Sequence, residues 1–479
     1  MSLQRETWKN LGWVGGLQAT LSLLQAVTNI VLARLLFPED FGVIALAQAF
    51  IYFVQRFQDF GLGTAIVQKQ GEVRDLLYTA NLFRSVIAVC LVAVCFFLGP
   101  VWADFYGHHG VGSVIRILAI TFLLNSAVFI PRTLLRKSMA FRKLFAVEST
   151  GAVVNAATKL VLAFSGFGFW SIAIGGLAGQ LIVTIGCHLA HPYPFRFRFR
   201  AAAAGELFRF ARFLVLAGLI QFMNTNLDNM TVGKVLGLAA LGFFDIAYRW
   251  GTWLTAQLGL VVRRVFLPTL SAIQDDLPRL RAAYLKSNEI LTAMAAPLFL
   301  GLSAVAPEFI ATLLGAKWAP AATALRIAAI CGLFRTLAEI PQTLLVSIAK
   351  TRWPAISAGA TLAVTAVAIV PLTIWLGIEG AAVAIGLAAA AGLAVTLTAV
   401  FRETGLSPRA WFGSVLPSLS SAAIMAVAVW LEGRSLAVES PAVRLLLLVA
   451  GGAVVYTGLL CIFSRRTPAA WFRYAWPRR

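Results

Sequence analysis

Apolar segments of about 20 residues, each long enough to cross a bilayer, recur along this chain, and the connectors between them switch positive charge on and off. Arg5 and Lys9 are followed by the uncharged-to-acidic turn Pro38-Glu39-Asp40, then Lys69 and Arg74, then acid-only Asp104. Next comes the cluster Arg132, Arg136, Lys137, Arg142 and Lys143, and the rhythm runs on to the basic tail Arg465, Arg466, Arg473, Arg478 and Arg479. Lys and Arg stay on the cytoplasmic side of an inserted protein, so the rhythm both counts crossings and orients them. The chain reads as an all-α polytopic membrane protein.

Only 13% of the residues are charged and 59% are hydrophobic, against roughly 25% charged in a soluble domain. The net charge of +20 does not point to nucleic acid, because the basic residues are dealt out over the connectors that topology makes cytoplasmic. There they suit anionic membrane lipids. The cysteines (Cys90, Cys95, Cys187, Cys331, Cys461) lie in or beside apolar segments without metal-ligand spacing, and read as small hydrophobes. The apolar stretch from Leu11 to about Leu36 exceeds the h-region of a cleavable signal and reads as a first span.

Helices are expected at 11–36, 41–67, 79–99, 113–132, 144–165, 167–190, 206–235, 239–268, 286–305, 321–345, 354–375, 378–401, 411–431 and 442–463. The charge rhythm supports an even number, with both termini cytoplasmic. The chain also echoes itself: Asn29…Arg34-Leu35-Leu36…Gly42…Ala47 returns as Asn229…Lys234-Val235-Leu236…Gly242…Ala247, and Gly166…Ala173-Ile174-Gly175 as Gly377…Ala384-Ile385-Gly386. Parallel six-helix repeats build transporters with two lobes around a central site. The expected organisation is an N-lobe of spans 1–6 (1–200), a C-lobe of spans 7–12 (201–405), and an appended pair with a basic tail (406–479).

Ionisable groups inside spans each cost roughly 2.5–3.5 kcal/mol or more, so they face a cavity or a partner. Arg56 with Asp59, Asp245 with Arg249, and Arg335 with Glu339 sit three or four residues apart, on one helix face each. Such a pair either neutralises itself for insertion or walls a polar cavity. Arg34, Arg116, Lys159, Lys234 and Arg326 have no acid at helical spacing in their own spans. Arg249, ten residues into its helix and therefore ~15 Å deep, and Arg335 fall near the midplane, where a transporter's site belongs. The cationic balance suits an anionic cargo such as a phosphate diester or pyrophosphate. Asp228, in Asn224-Thr225-Asn226-Leu227-Asp228-Asn229, is either a coupling site for H⁺ or Na⁺ or part of a hydrogen-bonded packing patch. No resident cofactor or metal is expected. The apolar face Leu270, Ile273, Leu277, Leu280 and Tyr284 reads as a helix lying on the cytoplasmic surface, with Pro278 restarting it after Asp275 and Asp276.

The run Ala33-Arg34-Leu35-Leu36-Phe37-Pro38-Glu39-Asp40-Phe41-Gly42, followed by Phe57-Gln58-Asp59-Phe60-Gly61-Leu62-Gly63-Thr64-Ala65-Ile66-Val67-Gln68, resembles the opening of the polysaccharide transporter family. The stretch Asn226-Leu227-Asp228-Asn229…Val232-Gly233-Lys234…Gly237…Leu241-Gly242-Phe243-Phe244…Ala247-Tyr248 resembles the same family, which usually has Tyr near Phe243. These are Wzx-type, colanic-acid-exporter-like flippases of the MOP superfamily. The resemblance implies two lobes opening alternately as a V. It implies a cargo of undecaprenyl-pyrophosphate-linked oligosaccharide moved from the cytoplasmic to the periplasmic leaflet of a bacterial inner membrane, and polysaccharide polymerase machinery downstream. On this reading Arg249, Arg335 and Arg56 take the pyrophosphate, and Lys159 and Arg34 attract it from the outer half. Asp228, Asp245, Asp59 and Glu339 serve charge balance or ion coupling. The rivals are a MATE-like multidrug antiporter, which would want an acid-dominated cavity, and a membrane glycosyltransferase, which would want a sizeable catalytic loop.

Overall fold

The computed structural model describes residues 20–58, 74–138, 140–192, 201–436, 438 and 440–464. Among the described residues all regular secondary structure is helical, and fourteen segments stand where spans are expected. These are α1 (Thr20–Leu35), α2 (Pro38–Gln55), α3 (Arg74–Tyr106), α4 (His109–Lys137), α5 (Phe141–Phe164), α6 (Trp170–Ala190) and α7 (Ala201–Leu236). They continue as α8 (Leu238–Val261), α9 (Leu277–Ala304), α10 (Ala321–Ser347), α11 (352–376), α12 (378–404), α13 (Pro408–Ser435) and α14 (Pro441–Ser464). Seven described helices are long and apolar enough to span on composition alone, with Arg352–Thr404 counted once. A bent pair, α9 with Ala306–Leu313 at 74°, makes an eighth. The α11–α12 turn is built on Gly377, whose φ of 63° and ψ of −140° only glycine adopts freely.

The chain divides into two compact units, Met1–Gly242 and Phe243–Arg479. The sequence places its lobe boundary at residue 200; the compact units part at 242, where α7 packs on α2 and α3.

In the first unit α2 starts on Pro38, and Asp40 in its first turn accepts the N–H groups of Phe37 (2.9 Å) and Phe169 (3.0 Å). One carboxylate thus caps α2 and fastens the turn before α6. Helices α5 and α6 approach through Gly151 and Gly179, where added Cβ atoms would stand 3.0 and 2.8 Å from each other's backbone oxygens. Small residues permit such contact between helices in lipid. The repeated glycines meet reciprocally: a Cβ on Gly42 would lie 2.1 Å from Leu238 O, and one on Gly242 would lie 1.8 Å from Pro38 O. The echo read in the sequence is therefore a physical contact between equivalent positions.

The second unit's core gathers Tyr284, Phe299, Leu344, Trp411 and Val415. The expected surface helix over 270–284 is not one piece. A five-residue π-turn (Val262–Phe266) ends α8, the short helix Leu267–Ser271 follows, and α9 starts afresh with Asp276 accepting the Arg279 N–H at 3.1 Å. Pro278 stands in that first turn, as expected, but α9 then runs unbroken into its span. Leu270, Leu280 and Tyr284 are fully buried against protein, whereas Leu277 is exposed and Ile273 half-buried, so the face is divided between core and surface.

At the end of α12, Glu403 accepts from Trp353 Nε1 (2.8 Å) and bridges Lys350 (3.0 Å) and Arg352 (2.9 Å). The indole donor first, then the two cations, hold its carboxyl down at about 2. A depressed carboxylate stabilises the folded state above its unfolded pKa and loses that contribution as pH falls through the folded value. The difference in melting temperature between the native chain and Glu403→Gln is therefore expected to hold constant above about pH 5 and to shrink as pH falls toward about 2. A difference that ignores pH would assign the clasp to packing.

Candidate functional site

Within the second unit, α8 and α10 are pressed together at Gly251 and Gly332. A Cβ on Gly251 would lie 2.7 Å from Ala328 Cβ, and one on Gly332 would lie 2.6 Å from Gly251 O. One turn on, the hydroxyls of Thr255 and Thr336 meet at 3.2 Å and stand 3.1 and 2.8 Å from Gly332 O. Close backbones and paired hydroxyls make a tight polar seam.

Charges lie at both ends of this seam. At one end Arg249 Nε meets Asp245 Oδ2 at 2.7 Å, the carboxylate side chain 6% exposed and the guanidinium 47% exposed. The Arg335 guanidinium lies 5.4 Å from the Tyr248 ring centroid, and Tyr248 stacks on Phe244. At the other end Glu339 receives a bridge across the seam, from Arg263 Nη1 at 3.4 Å. Gly259 leaves room for it: a Cβ there would touch Glu339 Oε1 at 3.3 Å. Arg263 sits in the π-turn, a distortion that re-aims side chains and often marks functional sites. Three guanidiniums and two carboxylates leave the seam cationic, with forks able to grip phosphate oxygens in pairs.

The structure thus brings Asp245, Arg249, Arg335 and Glu339 into one seam. The other anticipated residues belong to the first unit. Arg34 is exposed at the end of α1. Arg56 closes α2 against Gly218 of α7, its Nε buried without a hydrogen-bond partner among the described residues. The Lys159 stem packs on Gly175. Asp228 is buried and accepts the Asn229 N–H at 2.8 Å, beside Asn226, which donates to Phe222 O. Asp59 lies outside the described residues. If Asp228 carries a driving ion, Asp228→Asn is expected to insert normally and lose gradient-dependent transport; unchanged gradient-driven transport would leave it a packing role.

Two residues escaped the sequence reading. Arg84 of α3 is buried, lies 4.2 Å over the Phe129 ring and donates to Gln58 O at 3.3 Å, while Gln58 donates to Phe122 O at 2.8 Å. Its signal was present: an arginine inside an apolar span with no acid within four residues. The second is Arg263 of the π-turn, whose partner Glu339 lies on a different helix.

On another face of α8 opens an apolar groove of about 610 Å³, lined by Trp250, Trp253, Phe309, Met425, Leu446 and Tyr456 among others. It is bounded by the appended pair α13 and α14. One helix therefore offers guanidinium to a polar seam and, at the adjacent residue, indole to an apolar groove.

Residues 31–323 match the family described as polysaccharide biosynthesis protein. The chain is 25% identical over 359 residues to the lipopolysaccharide biosynthesis protein WzxC of Escherichia coli (strain K12), covering 73% of this chain and 72% of that one. It is 26% identical over 315 residues to the succinoglycan biosynthesis transport protein ExoT of Rhizobium meliloti (strain 1021), covering 65% and 63%. Its fold is that of the lipid II flippase MurJ in an inward closed conformation, with TM-score 0.77, 16% identity, and 94% and 98% of the two chains covered.

Proposed function

Because the chain belongs to the polysaccharide biosynthesis protein family, we propose that it is a flippase. It moves undecaprenyl-pyrophosphate-linked oligosaccharide repeat units from the cytoplasmic to the periplasmic leaflet of a bacterial inner membrane, for exopolysaccharide, O-antigen or capsule synthesis. The observation that carries this reading is the pairing of surfaces on α8. Arg249 and Arg335 supply phosphate-gripping cations in the seam, and Trp250 opens the groove that suits a polyprenyl tail. An amphipathic anion needs both, since bare transfer of its charge through hydrocarbon is prohibitive.

Arg249 and Arg335 hold the pyrophosphate, with Arg56 contributing and Lys159 and Arg34 attracting it from the outer half. Asp245 and Glu339 keep the seam insertable when no cargo is bound, and Asp228 and Asp59 serve charge balance or coupling to H⁺ or Na⁺. The cycle is alternating access. Such a protein is a transporter rather than an enzyme, and an excess of arginine argues against a cationic drug as cargo. Anionic lipids flank it, and polymerase machinery consumes what it delivers.

Deletion followed by extraction of lipid-linked sugars tests the reading: one intact repeat unit should accumulate. An unchanged lipid-linked pool alongside lost drug resistance would point to an antiporter instead. The orientation has its own test. Reporter fusions after residues 105 and 317 should report periplasm, and those after 140 and 198 cytoplasm; a reversed fusion among the first six spans would break the lobe assignment.

A further inference from the structure

The first unit contains a second cleft, remote in sequence from the α8–α10 seam and independent of it. It measures about 300 Å³ and lies between α3, α4 and α6, lined by Asn81, Ser85, Leu123, Ser126, Pro131 and His188 with neighbouring apolar residues. The Ser85 and Ser126 hydroxyls meet at 3.1 Å across the α3–α4 contact. His188 Nδ1 stands 2.9 Å from Thr184 O. Pro131 has no N–H, so the Ala127 carbonyl, also in the lining, loses its helical donor. The outer wall is apolar and open: Val89 is 61% exposed and Leu123 40%.

Basic residues follow the lining residue Pro131 toward and past the end of α4, Arg136 lying five residues, or ~7.5 Å of helix, beyond it. Arg136 and Lys137 end α4, Arg142 and Lys143 begin α5, and all four are exposed, with Phe141 exposed among them. Arg132, one residue beyond Pro131, is held by Glu148. The positive-inside rule accounts for charge in this connector, but it does not require a cleft with paired hydroxyls between α3, α4 and α6.

We propose that this cleft is a binding site for one anionic phospholipid of the cytoplasmic leaflet. The phosphate rests on Arg136, Lys137, Arg142 and Lys143, where cations near an anionic surface gain most. An acyl chain lies along Val89 and Leu123. In the Ser85–Ser126 pair one hydroxyl donates to the other, and the second proton is the one offered to an ester oxygen, which sits just below the phosphate.

The test is native mass spectrometry of the detergent-purified full chain, titrated with phosphatidylglycerol or with phosphatidylcholine of the same acyl chains. Phosphatidylglycerol should bind more tightly. Arg136→Gln with Lys137→Gln should weaken it by roughly fivefold for each charge removed, while Arg402→Gln with Arg409→Gln, elsewhere on the basic side, should not. Ser85→Leu, which fills the cleft, should weaken both lipids. Arg136→Lys should retain binding, and melting temperatures report whether each variant is folded. Equal binding of the two lipids, or a rim variant indistinguishable from the control pair, would overturn the site. Loss of phosphatidylglycerol in the rim variant with Ser85→Leu unaffected would overturn the cleft and leave surface adsorption.

Discussion

Gly242→Val is expected to remove nearly all folded protein from the membrane. The first added carbon would stand 1.8 Å from Pro38 O, far inside van der Waals contact, and the atom it meets is backbone that cannot swing aside. Gly42→Val should act alike, because its Cβ would stand 2.1 Å from Leu238 O. Ordinary overpacking costs about 1–3 kcal/mol when side chains can rearrange; here two helix starts must separate. Gly176→Val and Gly413→Val supply the comparison, since nothing lies within 4 Å of a Cβ at either position. Size-exclusion profiles of the extracted protein should show Gly176→Val near the native yield and Gly242→Val near none. Equal yields would mean that the reciprocal contact does not exist.

The second large effect is expected at Arg249. Its partner Asp245 is nearly buried, so Arg249→Ala leaves a carboxylate without its cation and should lower both the protein level and export. Breaking a fully buried pair from one side costs about 3–5 kcal/mol; with the Arg249 side chain 47% exposed, the cost here falls below that range. Adding Asp245→Ala removes that penalty, so the protein level should recover. If Arg249 grips pyrophosphate, export stays down by roughly tenfold or more even then, the loss of one charge-assisted contact of a few kcal/mol. Arg249→Lys should be partly active, since lysine keeps the charge and lacks the fork. Polysaccharide export divided by protein level across the four chains is the measurement. Export restored by the double substitution would leave the pair a structural role.

Much of this was legible in the sequence, for identifiable reasons. The spans follow from apolar length and charge alternation, and the fourteen helical segments lie where that reading puts them. The Asp245–Arg249 pair follows from spacing on one helix. The Gly42 and Gly242 echo was visible as a repeat, although nothing in a sequence says that two copies touch. What stayed hidden depends on contacts between helices distant in the chain. Glu339 has Arg335 at helical spacing, yet the ion pair seen at its carboxylate is with Arg263, brought by the tertiary fold from the end of α8, while the Arg335 guanidinium turns toward Tyr248. The surface helix expected over 270–284 is broken because periodicity marks an apolar face without saying what covers each residue; protein covers Leu270, Leu280 and Tyr284 and leaves Leu277 exposed. The groove beside Trp250 draws residues from α8, α9, α13 and α14, a convergence that no single segment carries.

The central claim is transport of a lipid-linked anionic sugar through a cationic seam, and reconstitution tests it most directly. Purified protein alone would be placed in vesicles whose outer leaflet carries a fluorescently labelled polyprenyl-pyrophosphate oligosaccharide, and the fraction protected from an added quencher would be followed in time. Transfer to the inner leaflet with the native chain, and its loss in the Arg249→Ala, Asp245→Ala double variant at equal reconstitution, is the predicted result. No transfer of the labelled lipid by the folded native chain, with a cationic dye crossing in its place, would contradict the account.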